Sequence, residues 1–426
     1  MNQAKPGLIA RILPVESGER LAVAASFAWF FLLMCGYQIL RPIRETLVSE
    51  LDATEKQWLF LGTFLVMLAA VPVFGWLVTK IPRRGLVHLV MHFFASNLVA
   101  FSAWDYLGGG DPDPWLARVF FVWVSVFSLF MTSLFWSVMV DIFSDEQSRR
   151  LFGPIASGAT IGAIAGSALT GGTASWIGLP VLMFVAGGML EAGMLFASGL
   201  DRATRRWPVQ QKQQQQKFAG ILEGLRQIMR SKYLLLIAVY LALISFCGTT
   251  VYMQLTETAK NAIADRAERA EFFAGLNLYV QCGTLVAQTL LIGWIMRRLG
   301  LSVALIILPA VYAVSFVLLG SVSSLAVLGI VDVMTRIGAY GFAVPAREVL
   351  FTVVNREAKY KSKNFIDTVV FRGADSVASA GYAQLKNLLG SAGPIGWIML
   401  PLTGLWLMVG WNLGRQQSKK ALNQAD

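Results

Sequence analysis

The chain has 426 residues, of which 56% are hydrophobic and only 14% charged, and its formal net charge is +11. Its mean hydropathy of +0.59 exceeds that of soluble globular proteins. These values exclude an ordinary soluble protein and indicate a chain that crosses a membrane several times. The three cysteines, Cys35, Cys247 and Cys282, fall in apolar stretches and form neither a disulfide framework nor a paired metal motif.

Apolar runs alternate with short charged clusters along the whole chain, and about 20 apolar residues suffice to cross a hydrocarbon core about 30 Å thick. We predict twelve transmembrane helices, near residues 21–40, 58–78, 86–107, 115–142, 151–174, 177–200, 233–256, 271–296, 301–320, 324–353, 361–389 and 394–414. We expect no removed signal peptide, because the first apolar run ends in Arg41-Pro42-Ile43-Arg44 rather than in small residues.

Lysine and arginine are concentrated in the N-terminus, in the loops on the same side of the membrane, and in the C-terminal tail. By the positive-inside rule, both termini are therefore predicted to be cytoplasmic. The basic charge then reflects topology and attraction to anionic lipid. Because no soluble basic domain is evident, we expect no nucleic-acid partner.

The two halves of the chain follow one plan. Gly75–Lys80 returns as Gly293–Arg298, each at the end of an apolar stretch. We predict an N-terminal six-helix bundle over 1–200, a cytoplasmic linker with an interfacial helix over 201–232, and a C-terminal six-helix bundle over 233–426. A duplicated membrane chain of this kind is typical of a secondary transporter, whose substrate site lies near the midplane between the halves.

The linker has two parts. Gln210–Lys217 is polar and of low complexity, which predicts a mobile connector. Phe218–Lys232 has apolar residues at helical spacing against charged ones, which predicts a helix at the cytoplasmic membrane interface.

Two other patterns invite a functional interpretation. Gly158, Gly162 and Gly166 recur every four residues in span 5; no strand precedes them and no Gly-Lys-Ser/Thr follows, so we predict close helix packing rather than a phosphate loop. His88 and His92 are four apart in span 3 and could share a face as metal ligands or as an acid and base. Without a neighbouring Glu or a third His, packed or interfacial histidines are the preferred interpretation.

Ionisable residues inside the spans carry the functional argument, since each costs on the order of 3 kcal/mol at the bilayer centre unless it faces a cavity or a partner. Asp332 and Arg336 are four apart in span 10, and Arg372 and Asp375 are three apart in span 11, so each pair shares a helix face. A rise of about 1.5 Å per residue brings both arginines near the midplane. A guanidinium fork suits a carboxylate or phosphate, so we predict that Arg336 and Arg372 bind an anionic substrate.

Further residues are predicted to contact the substrate or to carry protons. The further predicted substrate contacts are Arg41, Arg44, Glu45, Gln254 and Gln281. Asp375, Glu191 and Asp332 are the predicted proton carriers, because a carboxyl shielded from water can bind a proton. Glu191 has no charged residue within one helical turn. The alternative is that the Asp332–Arg336 and Arg372–Asp375 pairs are structural and only neutralise each other.

Several segments in both halves carry a family resemblance. They are Tyr37–Val48, Phe135-Trp136 with Asp141, Gln147–Arg150, Gly158 to Gly166, Pro345–Phe351, Lys359–Asp367 and Arg372–Asp375. In these segments the chain resembles the ATP/ADP translocase family of plastids and intracellular bacteria, which is related to the major facilitator superfamily. The resemblance implies two pseudo-symmetric six-helix bundles, transport, and a place in the bacterial inner membrane.

The same resemblance bears on individual residues. Arg44 matches a basic residue that contributes to transport in the nucleotide exchangers. Ser125 stands where those exchangers carry an acid, and Asp375 stands where they carry a lysine. These departures weaken a site for a tetra-anionic nucleotide, so the resemblance implies fold and transport more strongly than ATP/ADP specificity.

The sequence therefore predicts an all-α secondary active transporter that moves an organic anion, such as a nucleotide or another phosphorylated metabolite, by alternating access, either as an exchanger or coupled to protons. The alternatives are a lipid or amphiphile transporter of the same fold, a membrane enzyme using His88 and His92, and a non-transporting membrane protein. We expect no catalytic residues, no cofactor and no metal, and we expect a monomer in the bilayer.

Overall fold

The computed structural model describes residues 15–16, 18–109, 113–205, 207, 221–322 and 324–425. In this part of the chain the regular structure is helical, without strands, which confirms the predicted all-α membrane fold. The predicted mobile connector, Gln210–Lys217, lies outside the described residues.

The helices follow the chain in a simple order. The first half contains α1 (Arg20–Ser49), α2 (Ala53–Lys80), α3 (Arg83–Leu107), α4 (Pro114–Ile142) and α5 (Asp145–Ala203). After the linker helix α6 (Ile221–Arg230), the second half contains α7 (Lys232–Ala262), α8 (Arg266–Val286), α9 (Ile292–Arg298), α10 (Leu301–Ser321), α11 (Leu325–Ile337), α12 (Val344–Leu350), α13 (Arg356–Phe365), α14 (Phe371–Leu389) and α15 (Gly393–Ala425). Three π-helical turns, Ala287–Leu291, Gly338–Ala343 and Ile366–Val370, and one 3-10 turn, Phe351–Val353, connect helices of the second half.

The predicted spans correspond to these helices. Ten helical segments of the described chain are long and apolar enough to cross a membrane. One of them, α5, is two spans joined at Gly178, whose φ of 79° breaks the helix just before Pro180. Residues 356–389 form the remaining segment, whose polar residues lower its hydropathy. The twelve-helix arrangement predicted from the sequence agrees with this structure.

Side-chain caps fix where several helices begin. Asp113 accepts a hydrogen bond from the backbone N–H of Trp115 at 2.8 Å and starts α4. Ser144 and Gln147 form a reciprocal capping box at the start of α5. Such caps satisfy backbone donors that have no partner within the helix, so local sequence alone sets these boundaries.

Contacts between Cα atoms group the chain into two compact units. The first comprises residues 1–44, 70–215 and 270–275, and the second comprises 45–69, 216–269 and 276–426. The division into bundles at 1–200 and 233–426 therefore remains a prediction, because the units cut α1, α2 and α8 within their length.

The first unit is held together by aromatic rings and by glycines. The rings of Phe30 and Phe135 stack at 3.9 Å, and Trp29 meets Phe135 edge-on at 5.1 Å. A Cβ on Gly158 would lie 2.7 Å from the carbonyl oxygen of Phe27, and one on Gly166 would overlap the carbonyl oxygen of Cys35. This confirms the predicted close packing, here between α5 and α1.

In the second unit, glycines allow the same close packing between α10 and α15. A Cβ on Gly396 would lie 2.6 Å from the carbonyl oxygen of Phe316, and Gly414 lies directly against Ser302. Near them the phenol of Tyr240 donates to the carbonyl oxygen of Leu305 at 2.7 Å. The Tyr240 ring also meets the buried Trp406 ring edge-on. Helices in lipid gain little from hydrophobic burial, so backbone approach at small residues supplies much of their packing energy.

Within the predicted linker the structure has the helix α6, which packs on α13 in the second unit. A Cβ on Gly224 would lie 2.6 Å from Cβ of Phe365 and 2.8 Å from the carbonyl oxygen of Lys361. On its other side, Leu225 and Met229 are 41% and 69% exposed. Its location at the membrane interface stays a prediction.

A buried carboxylate anchors the start of α1 in the first unit. Glu19 is 5% exposed and accepts two hydrogen bonds of 2.8 Å from the guanidinium of Arg150 and one of 2.9 Å from Gln147. Burial by itself raises the pKa of this carboxyl, but the hydrogen bonds outweigh burial and hold the pKa below its ordinary value of 4.5.

We predict that Gly166→Ala destabilises the first unit, because the added methyl has no room against the backbone of α1; overpacking of this kind costs about 1–3 kcal/mol. Gly172→Ala is the matched control in the same helix, since nothing lies within 4 Å of the Cβ it would gain. Thermal melting of the purified protein measures both. Equal melting temperatures for the two variants would contradict the packing assigned to Gly166.

We also predict a pH-dependent effect of Glu19→Gln. Because the folded-state pKa is depressed, the stabilisation by Glu19 is fully present above about pH 4.5 and is lost as the pH falls through the lower folded-state value. The variant should melt below the parent at neutral pH, with the difference shrinking in acid. Glu16→Gln, at a carboxylate that is 77% exposed, is the control and should have little effect. If Glu19→Gln lowers the melting temperature by the same amount at neutral pH and in acid, this assignment is contradicted.

Candidate functional site

The charged pair of α11 lies in a buried polar cluster of the second unit. Nη1 of Arg336 donates to Oδ2 of Asp332 at 2.9 Å, and its Nη2 donates to Oδ1 of Asn277 on α8 at 2.5 Å. Asp332 is 6% exposed and Asn277 is fully buried. The pair therefore shares a face as the spacing predicted, and it is attached to a second helix.

Two donors of this cluster make no hydrogen bond to any described residue. They are Nε of Arg336 and Nδ2 of Asn277, and both are buried. The orientation of the amide is fixed, because Arg336 can only donate and so must face its oxygen. An unpaired buried donor costs about 1–3 kcal/mol. The cluster is thus chemically suited to an acceptor such as a carboxylate or phosphate oxygen.

The second charged pair, on α14, is held by hydroxyl groups of α7. Oδ1 of Asp375 accepts hydrogen bonds from Ser245 and from Thr249, the latter at 2.7 Å. Its Oδ2 lies 3.6 Å from Nη1 of Arg372, whose side chain is 34% exposed. Ser245 also lies 2.8 Å from the carbonyl oxygen of Phe371. The predicted Arg372–Asp375 pair therefore exists, with the carboxylate inside and the guanidinium more accessible.

Both pairs adjoin π-helical turns. Gly338–Ala343 begins two residues after Arg336, and Ile366–Val370 ends two residues before Arg372. Turns of this type are rare and frequently occur at functional sites, because an extra residue in the turn shifts side chains from the regular α-helical register. Both pairs therefore lie next to an irregular part of their helices.

The predicted amide contacts lie in the second unit. Gln254 on α7 is 3% exposed, and Gln281 on α8 is half-buried. Glu45, near the end of α1, belongs to this unit and is 4% exposed.

The predicted basic residues of α1 belong to the first unit. Arg41 and Arg44 are half-buried, and the guanidinium of Arg44 lies over the ring of Phe121 at 5.2 Å. This geometry allows a cation–π interaction. Ser125, one turn further along α4, donates to the carbonyl oxygen of Phe121 at 3.1 Å.

Glu191 also lies in the first unit, where it pairs with a histidine. Its Oε1 lies 2.9 Å from Nδ1 of His92, and the two side chains are 40% and 54% exposed. His88 approaches Ser198 at 3.4 Å. The sequence showed no charged neighbour for Glu191 because its partner is 99 residues away.

Sequence reasoning missed a polar network in the second unit where α2, α7 and α8 meet. Lys56 is 1% exposed and donates to Thr256 at 3.1 Å, while the buried Arg269 pairs with Glu50. Lys260 adds a second cation to Glu50 at 3.3 Å. Because these partners are about 200 or more residues apart, no local spacing could reveal them.

These features define a polytopic helical membrane protein with paired charges buried inside its spans. A family model described as Major Facilitator Superfamily matches residues 27–357, which is most of the chain. The chain therefore belongs to the Major Facilitator Superfamily. The broader part of the predicted resemblance is confirmed, whereas the ATP/ADP translocase family specifically is not supported by the comparisons.

Comparison with curated proteins gave no match. Among solved structures, the nucleoside transporter NupG is similar with a TM-score of 0.66 at 10% identity, covering 93% of this chain and 98% of that one. A bacterial homologue of the iron transporter ferroportin, in an inward-facing state, gives 0.57 at 14% identity, covering 94% and 97%. A bacterial homologue of the human lysosomal transporter Spinster, inward-facing and unoccupied, gives 0.54 at 16% identity, covering 94% and 93%. At these identities the likeness establishes the fold.

Proposed function

We propose that the protein is a secondary active transporter that carries an organic anion across the bacterial inner membrane by alternating access, with both termini in the cytoplasm. Membership of the Major Facilitator Superfamily supports transport as the general activity. The observation that carries the choice of an anion is the environment of Arg336. Its Nε and the amide nitrogen of Asn277 are buried donors without an acceptor among the described residues.

An oxyanion offers several acceptor atoms for such donors. A carboxylate or phosphate oxygen accepts hydrogen bonds, and its charge is attracted by the guanidinium, whose two other nitrogens donate to Asp332 and to Asn277. A neutral polyol could accept these hydrogen bonds too, but a guanidinium attracts an anionic oxygen more strongly. The resemblance to ATP/ADP translocases favours a nucleotide or another phosphorylated metabolite as the anion, and Arg41, Arg44, Glu45, Gln254 and Gln281 remain proposed contacts.

The surroundings of Asp375 support coupling to protons. Three oxygen–oxygen contacts join Asp375, Ser245, Thr249 and the carbonyl oxygen of Phe371, but the two hydroxyl groups supply only two hydrogens. A proton on Oδ1 of Asp375 completes the set: Asp375 then donates to Ser245, Ser245 donates to Phe371, and Thr249 donates to Asp375. Without that proton, Ser245 must divide one hydrogen between two acceptors.

Arg372 links this proton to the substrate. Its guanidinium, 3.6 Å from Oδ2, stabilises the ionised form of Asp375 as long as the two face each other. An anion that binds to Arg372 neutralises the positive charge that had stabilised the Asp375 carboxylate. Asp375 then binds a proton. Anion and proton therefore load together. Strict exchange of one anion for another is the alternative mode of coupling, and it needs no change at Asp375.

We predict that Arg336→Gln and Arg372→Gln each reduce anion uptake into proteoliposomes strongly. Loss of one charge-assisted hydrogen bond costs about 1.5–3 kcal/mol, or roughly 10- to 150-fold in affinity. The anion is first chosen by thermal-shift screening against ATP, ADP, nucleoside monophosphates, sugar phosphates and dicarboxylates. Arg415→Gln is the control, because Arg415 lies over the Trp411 ring near the C-terminal end of α15. Uptake by both site variants at the parent rate would refute the assignment of these arginines.

We further predict that an inward proton gradient drives accumulation by the parent protein, and that Asp375→Asn keeps exchange of internal for external anion but loses the response to the gradient. The asparagine has the size of the acid but cannot bind and release a proton. Glu191→Gln and Asp332→Asn, at the two other carboxyls that the sequence predicted as proton carriers, are measured in the same assay. Uptake by the parent that ignores the gradient but requires internal anion would establish exchange instead.

A further inference from the structure

A polar pair lies on the outer surface of the first unit, at mid-membrane depth. His92 on α3 and Glu191 on α5 are joined at 2.9 Å, yet both side chains are about half exposed. The cytoplasmic ends of the same helices are joined by Arg83 and Asp201 at 3.1 Å. His92 is nine residues from Arg83, and Glu191 is ten residues from Asp201. At about 1.5 Å per residue, both groups lie roughly 14 Å from that end, near the middle of a core about 30 Å thick.

The surface around this pair is apolar. On α3 and α5 the exposed large side chains near it are Leu89, Phe93, Val99, Val181, Phe184, Leu195 and Phe196, each between 42% and 68% exposed. Exposed residues of this kind on a spanning helix face hydrocarbon rather than water. An ionisable pair on such a face is unusual, since these groups in membranes almost always face a partner or a cavity.

The pair satisfies only half of its hydrogen-bonding capacity within one copy of the described chain. The bond between Nδ1 and Oε1 contains one proton, whichever atom holds it. In a pair with no net charge, one further hydrogen lies on Nε2 of His92 or on Oε2 of Glu191, and the other of these two atoms is an acceptor. Each copy thus presents one donor and one acceptor to lipid, which can satisfy neither.

We propose that this face binds a second copy of the same chain, related by a two-fold axis along the membrane normal. His92 and Glu191 lie at the same depth, so such an axis brings His92 of each copy to the level of Glu191 in the other. A hydrogen bond between Nε2 and Oε2 then forms across the interface, twice by symmetry, and four side chains close a ring of hydrogen bonds with no net charge. The surface is self-complementary in the sense that a two-fold interface requires.

The shape of the face permits this approach. Ser96 and Gly188 are exposed and Ala192 is half exposed, and nothing lies within 4 Å of the Cβ that Gly188 would carry. The hydroxyl of Ser96 already donates to the carbonyl oxygen of Phe93 at 2.8 Å, so it needs no further partner. Small residues beside a polar pair let two helices come close enough for the interhelical hydrogen bonds to form. This proposal replaces the monomer expected from the sequence.

The test measures subunit number directly in a bilayer. The full chain, with a fluorescent protein fused to its C-terminus, is reconstituted at decreasing density in vesicles of phosphatidylethanolamine and phosphatidylglycerol, and photobleaching steps are counted for single spots. The parent should show two steps down to low density. His92→Leu with Glu191→Leu should raise the dissociation constant roughly tenfold or more, because two interhelical hydrogen bonds are lost.

Two further variants make the result specific. The exchange His92→Glu with Glu191→His returns one donor and one acceptor to the same depth and should restore two-step bleaching. Thr289→Leu removes an exposed hydroxyl from the second unit and should leave the dimer unchanged. One-step bleaching of the parent at every density, or a leucine double variant that dimerises like the parent, would overturn the proposal whether or not the protein transports an anion.

Discussion

A charge inside the hydrocarbon layer has no water to solvate it, so the protein must supply its partners, and the buried parts of this structure follow from that constraint. Arg336 has Asp332 and Asn277, and Asp375 has two hydroxyl groups and Arg372. Each arrangement neutralises charge, and the one around Arg336 leaves two buried donors without an acceptor among the described residues. The proposed anion site rests on these two donors.

The same absence of water determines how the helices pack. Apolar side chains are as well solvated by lipid as by each other, so close contact between backbones must hold helices together. Glycines provide it between α5 and α1 in the first unit and between α10 and α15 in the second. The π turns of the described second half lie outside α10 and α15, and the charged residues lie beside two of those turns.

The absence of water also constrains the surface that meets lipid. Most exposed residues of α3 and the second span of α5 are large and apolar, as a lipid-facing surface requires. Away from the helix ends, His92 and Glu191 are an ionisable exception on this surface, and their pairing within one chain leaves one hydrogen-bond donor and one acceptor without a partner in that chain. In the proposed dimer, the second copy supplies partners for this donor and this acceptor without adding charge to the membrane. The cost of leaving polar groups unpaired in lipid thus favours assembly of two copies.

The sequence by itself determined the features that depend on local order along the chain. The hydropathy pattern gave the spans, the spacing of four residues placed Asp332 and Arg336 on one face, and the repeated glycines predicted close packing. Only the tertiary structure decided which helix lies opposite each face: Asn277 beside Arg336, Ser245 and Thr249 around Asp375, and His92 against Glu191. The physical reason is that helical periodicity specifies which residues point in one direction, whereas the partner across a helix interface can come from any part of the chain.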